Sequence, residues 1–279
     1  MVKGYEPEQV ARYFDRYGIA EWNRMTATPV AEVSLHIHRH YLMQHIAPVM
    51  RVLEIGAGAG RFTQVLAGLG ARIVVGDLSQ EQLRLNREHA QRYNFAAAVE
   101  DWLQIDICDM SALPTDDFDA VVAYGGPLSY VLEHRDLALQ ECLRVLKPDG
   151  LLYLSVMSLW GSAHHSLKGV LAIPREINRK IIATGDISPV TYPERDNYMH
   201  LFRADELRNW LEAAGVHILA LSASNFLSLN WDDTLTEIRN DPEKWEALLN
   251  LELEACAEAG SLNAGTHILA VVKKRSSGI

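Results

Sequence analysis

The sequence predicts an α/β fold built on a mostly parallel sheet, and three features support this prediction. Residues 51–61, RVLEIGAGAGR, place apolar residues around Glu54 and then a glycine-rich turn, as in a buried parallel strand that ends in a tight loop. A second apolar run, ARIVVGDLS, ends at Asp77, about twenty residues after the loop. Helical patterns separate these and the later apolar runs, as is typical of parallel sheets covered by helices.

The glycine-rich loop predicts a ligand site. Three glycines between a strand and a helix let a nucleotide-like ligand lie against backbone N–H groups at the helix N-terminus. A dinucleotide fingerprint, G-x-G-x-x-G, would need a glycine where this chain has Arg61, because the third glycine, Gly60, comes one residue early. The following helix spans RFTQVLAGLG, in which Phe62 and Leu66 recur at helical spacing and Gly70 ends the pattern.

Size and charge limit the possible functions. At 279 residues and 48% apolar content, the chain can form one large domain, 1–279. Its formal charge of −10, without a long Lys/Arg block, disfavours nucleic acid as a partner. The three cysteines include no C-x-x-C pair, so neither a disulfide framework nor a zinc site is indicated. No signal peptide or membrane-spanning run is recognisable, and we expect a soluble, cytoplasmic protein with no membrane partner.

Residues 1–48 are predicted to be helical. Val10, Phe14 and Tyr17 lie at helical spacing, and Val33 and Ile37 begin a second apolar face. These helices either form a lid over a bound ligand or add a helical layer that has no contact with it.

The following elements alternate along the chain. Asp77 ends the second strand, where an acid can accept both hydrogens of a ribose diol. A helix over 79–94 follows, with Ser79 and Gln82 at the spacing of a capping box. A third strand ends at Asp106, and a fourth, FDAVVAY, leads into the sequence from Tyr124 to Pro127.

The C-terminal half continues the pattern after one interruption. A helix near His134 precedes a fifth strand, LLYLSVMS. Residues 158–202 have mixed character and several prolines, and we interpret them as a cap that binds substrate. The helix RADELRNWLEAAG, the strand VHILALSAS, a late amphipathic helix and the strand THILAVVKK complete the chain.

The pattern E-x-G-x-G-x-G, formed by Glu54, Gly56, Gly58 and Gly60, resembles the first motif of the class I S-adenosylmethionine-dependent methyltransferases. Later motifs of that family follow in order over residues 40–225 and at the last strand, including RVLKPDG, which is similar to its RVLKPGG turn. The resemblance implies a Rossmann-like three-layer sandwich, a seven-stranded sheet with an antiparallel last strand, and a helical lid over residues 1–48. It also implies S-adenosylmethionine as cofactor, with S-adenosylhomocysteine as product.

The resemblance further implies which residues bind the cofactor. In that family the residue matching Asp106 accepts a hydrogen bond from the adenine amino group, and the backbone of the next residue meets the ring. Asp106 can alternatively cap a turn, and Tyr124 can be either a neighbour of the methionine part or a core residue. The implied cofactor-binding residues are Glu54, Gly56, Ala57, Gly58, Gly60, Asp77, Leu78, Asp106, Ile107 and Tyr124.

The substrate is predicted to be a small molecule. Enzymes of this class that methylate base amines carry Asn or Asp followed by Pro-Pro after the fourth strand, whereas this chain has Tyr124-Gly125-Gly126-Pro127. The expected reaction is an in-line methyl transfer to oxygen, nitrogen or carbon of a metabolite. An NAD(P)-dependent reductase and a non-catalytic S-adenosylmethionine-binding regulatory protein are the alternatives.

Catalytic residues are harder to predict. A general base is needed only if the accepting atom carries a proton at neutral pH. The candidates are His200 and His134, followed by His164 and His165, although any one of the eleven histidines can instead have a packing role. The predicted substrate-binding residues are Tyr13, Tyr17, Tyr130 and His164. No cluster with metal-ligand spacing follows the fourth strand, so we expect no metal and no magnesium-dependent mechanism. The sequence does not specify the oligomeric state.

Overall fold

The computed structural model describes residues 4–275, and its centre is a seven-stranded sheet. The strands are β1 (Arg51–Ile55), β2 (Arg72–Asp77), β3 (Val99–Gln104), β4 (Phe118–Ala123), β5 (Leu146–Met157), β8 (His217–Ala223) and β9 (His267–Lys273). Their order is β3-β2-β1-β4-β5-β9-β8, in which β9 runs antiparallel to both of its neighbours and the first five strands are parallel. The predicted Rossmann-like sheet with an antiparallel last strand is confirmed.

Helices cover both faces of this sheet. They are α1 (Pro7–Tyr17), α2 (Ala20–Arg24), α3 (Pro29–His45), α4 (Arg61–Gly68), α5 (Gln80–Arg92), α6 (Pro127–Tyr130), α7 (Arg135–Val145), α8 (Leu159–His165), α9 (Leu167–Ala172), α10 (Arg175–Thr184), α11 (Ala204–Ala213), α12 (Asp232–Arg239) and α13 (Pro242–Ala257). Single 3₁₀ turns occur at Ala96–Ala98, Leu132–His134 and Ala259–Ser261, and the short strands β6 (Asp186–Ile187) and β7 (Met199–His200) pair in a separate hairpin.

Alternating side chains of the strands build two apolar layers. Val52 faces a cluster that includes Ile37 of α3 and Leu66 of α4, whereas Leu53 faces a cluster that includes Leu139 of α7 and Leu207 of α11. A strand buried on both faces must be apolar throughout, which explains the continuous runs in the sequence. The predicted three-layer sandwich is therefore confirmed.

Parallel pairing brings the functional segments to one edge. Ile55 pairs with Gly76, and Asp77 pairs with Gln104, so β1, β2 and β3 end side by side. The chain leaves β1 on one side towards β2 and later returns on the other side as β4, so the strand order reverses at this point. Open α/β sheets bind ligands in the crevice at such a reversal.

Local details differ from the sequence prediction in three places. Strand β3 ends at Gln104, two residues before the predicted Asp106. Ser79 caps α5 by accepting from the Gln82 N–H at 3.1 Å, but the Gln82 side chain donates to the carbonyls of Phe14 and Gly18, so the second half of the predicted capping box does not form. Helix α12 was not predicted. Asp149, by contrast, has φ +64°, the left-handed conformation expected of its turn.

The predicted lid consists of two different parts. Helix α1 has no buried residue and lies against α5, where Ser79 Oγ donates to Asp15 Oδ1 at 2.5 Å. Helix α3 instead belongs to the core, since Val33 and Ile37 are fully buried. Residues 1–3 of the predicted lid lie outside the described residues. Within 4–275, no helix combines the length and the apolar character needed to cross a bilayer.

Candidate functional site

The glycine-rich loop has the backbone conformation that its sequence requires. Gly56, Gly58 and Gly60 have φ values of +68°, +54° and +97°, and Gly60 is the N-cap of α4. A Cβ at Gly56 would lie 2.4 Å from Cγ of Pro127. The loop therefore needs glycine at position 56 because of a close approach within the protein as well as because of its left-handed backbone.

Asp77 joins the end of β2 to this loop. Its Oδ2 accepts a hydrogen bond from the Gly58 N–H and its Oδ1 one from the Ser79 N–H, each at 2.8 Å. Burial raises the pKa of Asp77 to about 6, against the lowering effect of these two N–H groups. The carboxylate thus lies at the predicted place, with both oxygens already held.

A slot opens beside this carboxylate along the sheet edge. Asp77 and Ser79 line one part of it, and Ile105 and Ile107 line another. Helix α1 covers the slot with Phe14. The predicted residues Gly56, Gly58, Leu78 and Tyr124 also line it. Apolar side chains suit the faces of an adenine ring, and a carboxylate suits a ribose diol, so the slot fits an adenosine-type cofactor.

Asp106, which was predicted to contact the adenine amino group, does not line the slot. Asp106 Oδ1 accepts from Tyr5 Oη and from the Cys108 N–H, each at 2.8 Å, and Asp106 is not part of the slot wall. Tyr5 takes its place in the wall, and burial with the neighbouring carboxylate raises the pKa of its hydroxyl. Because Tyr5 is so far from Asp106 in sequence, periodicity could not reveal this contact.

Glu54 also lies away from the slot. It is 2% exposed and accepts from Thr63 Oγ1 at 2.6 Å, and burial raises its pKa to about 8. Thr63 in turn accepts from Asn86 Nδ2 at 2.9 Å, and the same nitrogen donates to the Gly58 carbonyl at 3.2 Å. Glu54, predicted to bind the cofactor, therefore positions the loop through its neighbours and does not line the slot.

An ion pair of α2 lies beside the slot at the glycine loop. Arg24 Nη2 lies 2.6 Å from Glu21 Oε1, and the pair lines a recess together with Gly56 and Ala57. Burial alone would lower the pKa of Arg24, but the Glu21 carboxylate raises it overall. Gly60, also predicted to bind cofactor, lines neither the slot nor the recess; a Cβ there would lie 3.0 Å from the Asn86 side chain. Periodicity in the sequence gives no signal for either charged residue, because α2 is only five residues long.

Arg61 holds α2 in place. Its guanidinium carbon lies 3.7 Å from the ring centroid of Trp22, and Nη2 donates to the Trp22 carbonyl at 2.7 Å. The residue that departs from the dinucleotide fingerprint thus connects α2 to the first turn of α4.

A second cavity adjoins the slot. This chamber has a volume of about 440 Å³ and shares the wall residues Phe14, Glu21, Gly125 and Tyr130 with the slot. The predicted substrate residues Tyr13, Tyr17 and Tyr130 all line it, and the rings of Tyr13 and Tyr17 are stacked with centroids 6.1 Å apart.

The cap contributes less to the chamber than its sequence indicated. From residues 158–202, only Ser162, His165 and Ser166 line the chamber. The predicted substrate residue His164 does not line it; its backbone carbonyl accepts from Asn230 Nδ2 at 3.1 Å. The helical face of α8 turns His165, rather than its neighbour, towards the cavity.

The two histidines predicted as catalytic lie outside both cavities. His200 is buried between Asp186 and Glu206, at 2.7 and 2.8 Å, and Arg135 Nη1 lies 3.1 Å from its Nε2. Burial alone would lower the pKa of His200, but these carboxylates raise it. His134 is half-exposed beside Tyr5, with ring centroids 5.5 Å apart. The positions of both correct the expectation that they reach a substrate.

Two other histidines lie close to the cavities. His267 lines the chamber, and its pKa is well below the usual value because of burial and then of nearby Arg24 and His38. His38 packs edge-on against Tyr124, with ring centroids 4.7 Å apart, and burial lowers its pKa to about 4. Both imidazoles are therefore neutral near pH 7. In the sequence, the one signal for the position of His267 is that the last strand begins there, which places it at an edge of the sheet.

No group of three or more His, Cys, Asp or Glu side chains within residues 4–275 is arranged to hold a metal ion.

Together these features define a Rossmann-like protein with an adenosine-type slot and an adjacent substrate-sized chamber. Comparison with known proteins agrees, since residues 53–154 match the family model described as a methyltransferase domain. That part of the chain is a methyltransferase domain of the class I S-adenosylmethionine-dependent type, and S-adenosylmethionine is its cofactor.

Individual relatives agree with this family. The chain is 35% identical over 149 residues to a demethylmenaquinone methyltransferase of Clavibacter sepedonicus, a match covering 52% of this chain and 56% of that protein. It is 25% identical over 191 residues to a ubiquinone biosynthesis O-methyltransferase of Xanthomonas axonopodis pv. citri, covering 65% of this chain and 69% of the relative. The matches cover between 29% and 69% of the length of such curated relatives.

Solved structures share the fold. The cyclase SpnF aligns with a TM-score of 0.60 and 17% identity over 99% of both chains. A 1,6-didemethyltoxoflavin-N1-methyltransferase of Burkholderia thailandensis, solved with S-adenosylhomocysteine, aligns with a TM-score of 0.58 and 16% identity over 96% of this chain and 88% of that one.

Proposed function

We propose that the protein transfers a methyl group from S-adenosylmethionine to oxygen, nitrogen or carbon of a small molecule held in the chamber. The observation that carries this proposal is the wall of Phe14, Glu21, Gly125 and Tyr130 that the slot and the chamber share. Because the two cavities share these lining residues, they adjoin, and a cofactor in the slot and an acceptor in the chamber lie at short range. Alignment of the two reactants is the main contribution that a protein makes to such a displacement.

Three parts of the slot would hold the cofactor. Ile105 and Ile107 would contact the adenine faces, and Asp77 would accept from the ribose hydroxyls. The glycine loop and the Glu21–Arg24 pair would hold the amino acid end, since a zwitterion matches one carboxylate and one guanidinium. When bound, S-adenosylmethionine supplies an electrophilic methyl group on a cationic sulfur.

The remaining residues would prepare the acceptor. Phe14 and Tyr130, whose ring centroids are 5.3 Å apart, shield the junction of the two cavities from water. An acceptor hydroxyl or ammonium must lose its proton as the new bond forms, whereas a free amine can react through its lone pair. His267 is the neutral imidazole of the chamber wall, and we assign it as the hydrogen-bond acceptor for such a proton.

The acceptor itself would be an aromatic or similarly flat molecule. Four aromatic side chains, Tyr13, Phe14, Tyr17 and Tyr130, line the chamber. Two relatives are named as a demethylmenaquinone methyltransferase and a ubiquinone biosynthesis O-methyltransferase, and these names support an acceptor that contains a ring. In this proposal, α1 and α2 form the lid within residues 1–48, and α8 is the part of the 158–202 cap that contacts the acceptor.

Calorimetric titration tests the proposal. We expect S-adenosylhomocysteine and S-adenosylmethionine to bind and NADH to give no heat. Incubation with labelled S-adenosylmethionine and a metabolite extract should then transfer label to a small molecule. Binding of NADH without binding of either sulfur ligand would favour a reductase and overturn the proposal.

A second function is favoured by one observation. A chain of the same fold over its full length is described as a cyclase, so the fold alone does not establish methyl transfer. Binding of S-adenosylmethionine with no label transferred across a broad panel would favour such a reaction, or a regulatory role for the cofactor.

The Glu21–Arg24 pair offers a sharper test of the slot. Replacing Arg24 with Met should weaken S-adenosylhomocysteine binding about tenfold or more, because the carboxylate of the ligand loses its guanidinium partner. Affinity for adenosine, which lacks the amino acid end, should not change. Arg12→Met, an exposed change on α1, is the control. Equal losses for both ligands would show that Arg24 does not hold the amino acid end.

A further inference from the structure

The chamber contains one carboxylate without a partner. Its wall includes two acidic residues, Glu21 and Asp232, and Glu21 is paired with Arg24. Within residues 4–275, the Asp232 carboxylate has neither a hydrogen bond nor an ion pair, and its Oδ1 is shielded from solvent. A carboxylate without a donor is unfavourable inside a protein, and because Asp232 lines the chamber, a ligand bound there can supply the missing donor.

Helix α3 shows where the Asp232 carboxylate lies relative to His267 in the chamber. Val30 and Ser34 of α3 line the chamber, and His38, one turn further on, lies with its ring centroid 6.4 Å from that of His267. Leu235, three residues after Asp232, packs instead against Val30 at the start of α3. Since eight residues of a helix span about 12 Å, Asp232 lies at one end of the chamber and His267 at the other.

The charges of the chamber differ between these ends. Arg24 is already paired with Glu21, and His267 is neutral, so neither offsets the charge at Asp232. The chamber-lining His165 has its Nδ1 3.0 Å from Asn230 Oδ1. A group at the Asp232 end of an acceptor therefore meets a carboxylate with no counter-charge.

Helix capping alone does not explain Asp232. It occupies the first turn of α12, where acidic residues are favourable, but so does its neighbour Asp233. Asp233 is exposed and does not line the chamber. The two residues share the helix position and differ in their contact with the cavity, so Asp233 provides a matched control.

We propose that Asp232 determines specificity by accepting a hydrogen bond from a hydroxyl or ammonium group at the end of the acceptor remote from the methylated atom. This inference rests on the proposed function, and it defines the acceptor as a ring with a hydrogen-bond donor at its far end and no anionic group there. An acceptor with a carboxylate or phosphate at that position is rejected by like charge.

Three phenols that differ only at the far end test this inference. The protein, saturated with S-adenosylhomocysteine, is titrated with tyramine, with 4-hydroxyphenethyl alcohol and with 4-hydroxyphenylacetate. We expect the amine and the alcohol to bind, and the carboxylate to bind at least about tenfold more weakly. Asp232→Asn should bring the three affinities within about threefold of one another, and Asp233→Asn should leave the native order unchanged.

Three results overturn the inference: the carboxylate binding native protein as well as the amine, the discrimination surviving in Asp232→Asn, or none of the probes binding. The heat of S-adenosylhomocysteine binding is measured first and tests the proposed function separately. If that ligand does not bind, the proposed function fails, and the same three titrations on the ligand-free protein still decide the role of Asp232.

Discussion

Replacement of Asp77 tests the cofactor slot most directly. Asp77 is 8% exposed, and its carboxylate accepts two backbone hydrogen bonds of 2.8 Å, from Gly58 and Ser79. Asp77→Ala leaves both N–H groups without an acceptor, and each unpaired buried donor costs about 1–3 kcal/mol of unfolding free energy. Loss of the ribose partner should weaken S-adenosylhomocysteine binding by about 1–3 kcal/mol as well, which is roughly 5- to 150-fold in Kd.

The pH dependence gives a second measure of the same residue. Burial raises the pKa of Asp77 to about 6 from 3.8. Because the folded value is the higher one, its contribution to stability is complete below about pH 4 and is lost as the pH rises through 6, a change of up to about 3 kcal/mol. Cofactor affinity changes in the opposite direction, since the ionised carboxylate is the better acceptor. We expect the affinity to fall as the pH drops below about 6.

Calorimetry with S-adenosylhomocysteine from about pH 5 to about pH 8, together with thermal unfolding, measures both effects. Asp77→Asn should lack both pH dependences, and Asp205→Asn, an exposed change in the first turn of α11, should behave as native. An Asp77→Ala protein that is less stable but binds S-adenosylhomocysteine with native affinity at every pH would refute the ribose assignment.

Three further changes test the surrounding structure. Gly56→Ala should lower the unfolding free energy by about 2–5 kcal/mol, measured by denaturant unfolding, because it adds left-handed strain and a contact with Pro127. Burial raises the pKa of Glu54 to about 8 from 4.5, so native protein should lose stability as the pH rises from about 4.5 through 8, where the unfolded state ionises first. Glu54→Gln should lack that loss and should be the more stable protein at neutral pH, in unfolding measured across this range. His200→Ala should lower the unfolding free energy by about 1–3 kcal/mol, measured by thermal unfolding. This is less than the loss expected on breaking a fully buried ion pair, because the carboxylates of Asp186 and Glu206 are partly exposed. The variant should keep native S-adenosylhomocysteine affinity and methyl transfer.

Each of these changes has a control or a contrary result. Gly68→Ala lies in a helix with nothing near its added Cβ, and it should gain up to about 1 kcal/mol. Parallel stability curves for native protein and Glu54→Gln would show that Glu54 is ionised at neutral pH. Loss of methyl transfer in a folded His200→Ala protein would restore the catalytic role that the sequence indicated for His200.

The sequence predicted the fold well because the evidence for it is local. Each strand buried on both faces must be apolar, and Gly56 and Asp77 mark the ends of two such strands. Helix α12 was missed, since in only eight residues Leu235 is its one buried side chain.

The site was predicted less completely. Asp77 and Ile107 lie in the slot as expected, because residues that end parallel strands share one edge. Asp106 and Glu54 do not line it: a Tyr5 hydroxyl covers the first, and Thr63 holds the second within the core. Such contacts join segments far apart in the chain, and a local pattern carries no information about them.

The sequence by itself determined the glycine loop, the order of strands and helices, and the edge of the sheet at which a ligand would bind. Backbone conformation and burial act on neighbouring residues, and both leave a periodic record in the chain. Only the tertiary structure decided which side chains face the two cavities: Glu21 and Arg24 from a five-residue helix, His267 from the last strand, and Asp232 from a helix without a clear pattern. Their positions depend on how distant elements pack against one another, and that packing buries His200 in an ion pair while placing His267 beside the proposed acceptor.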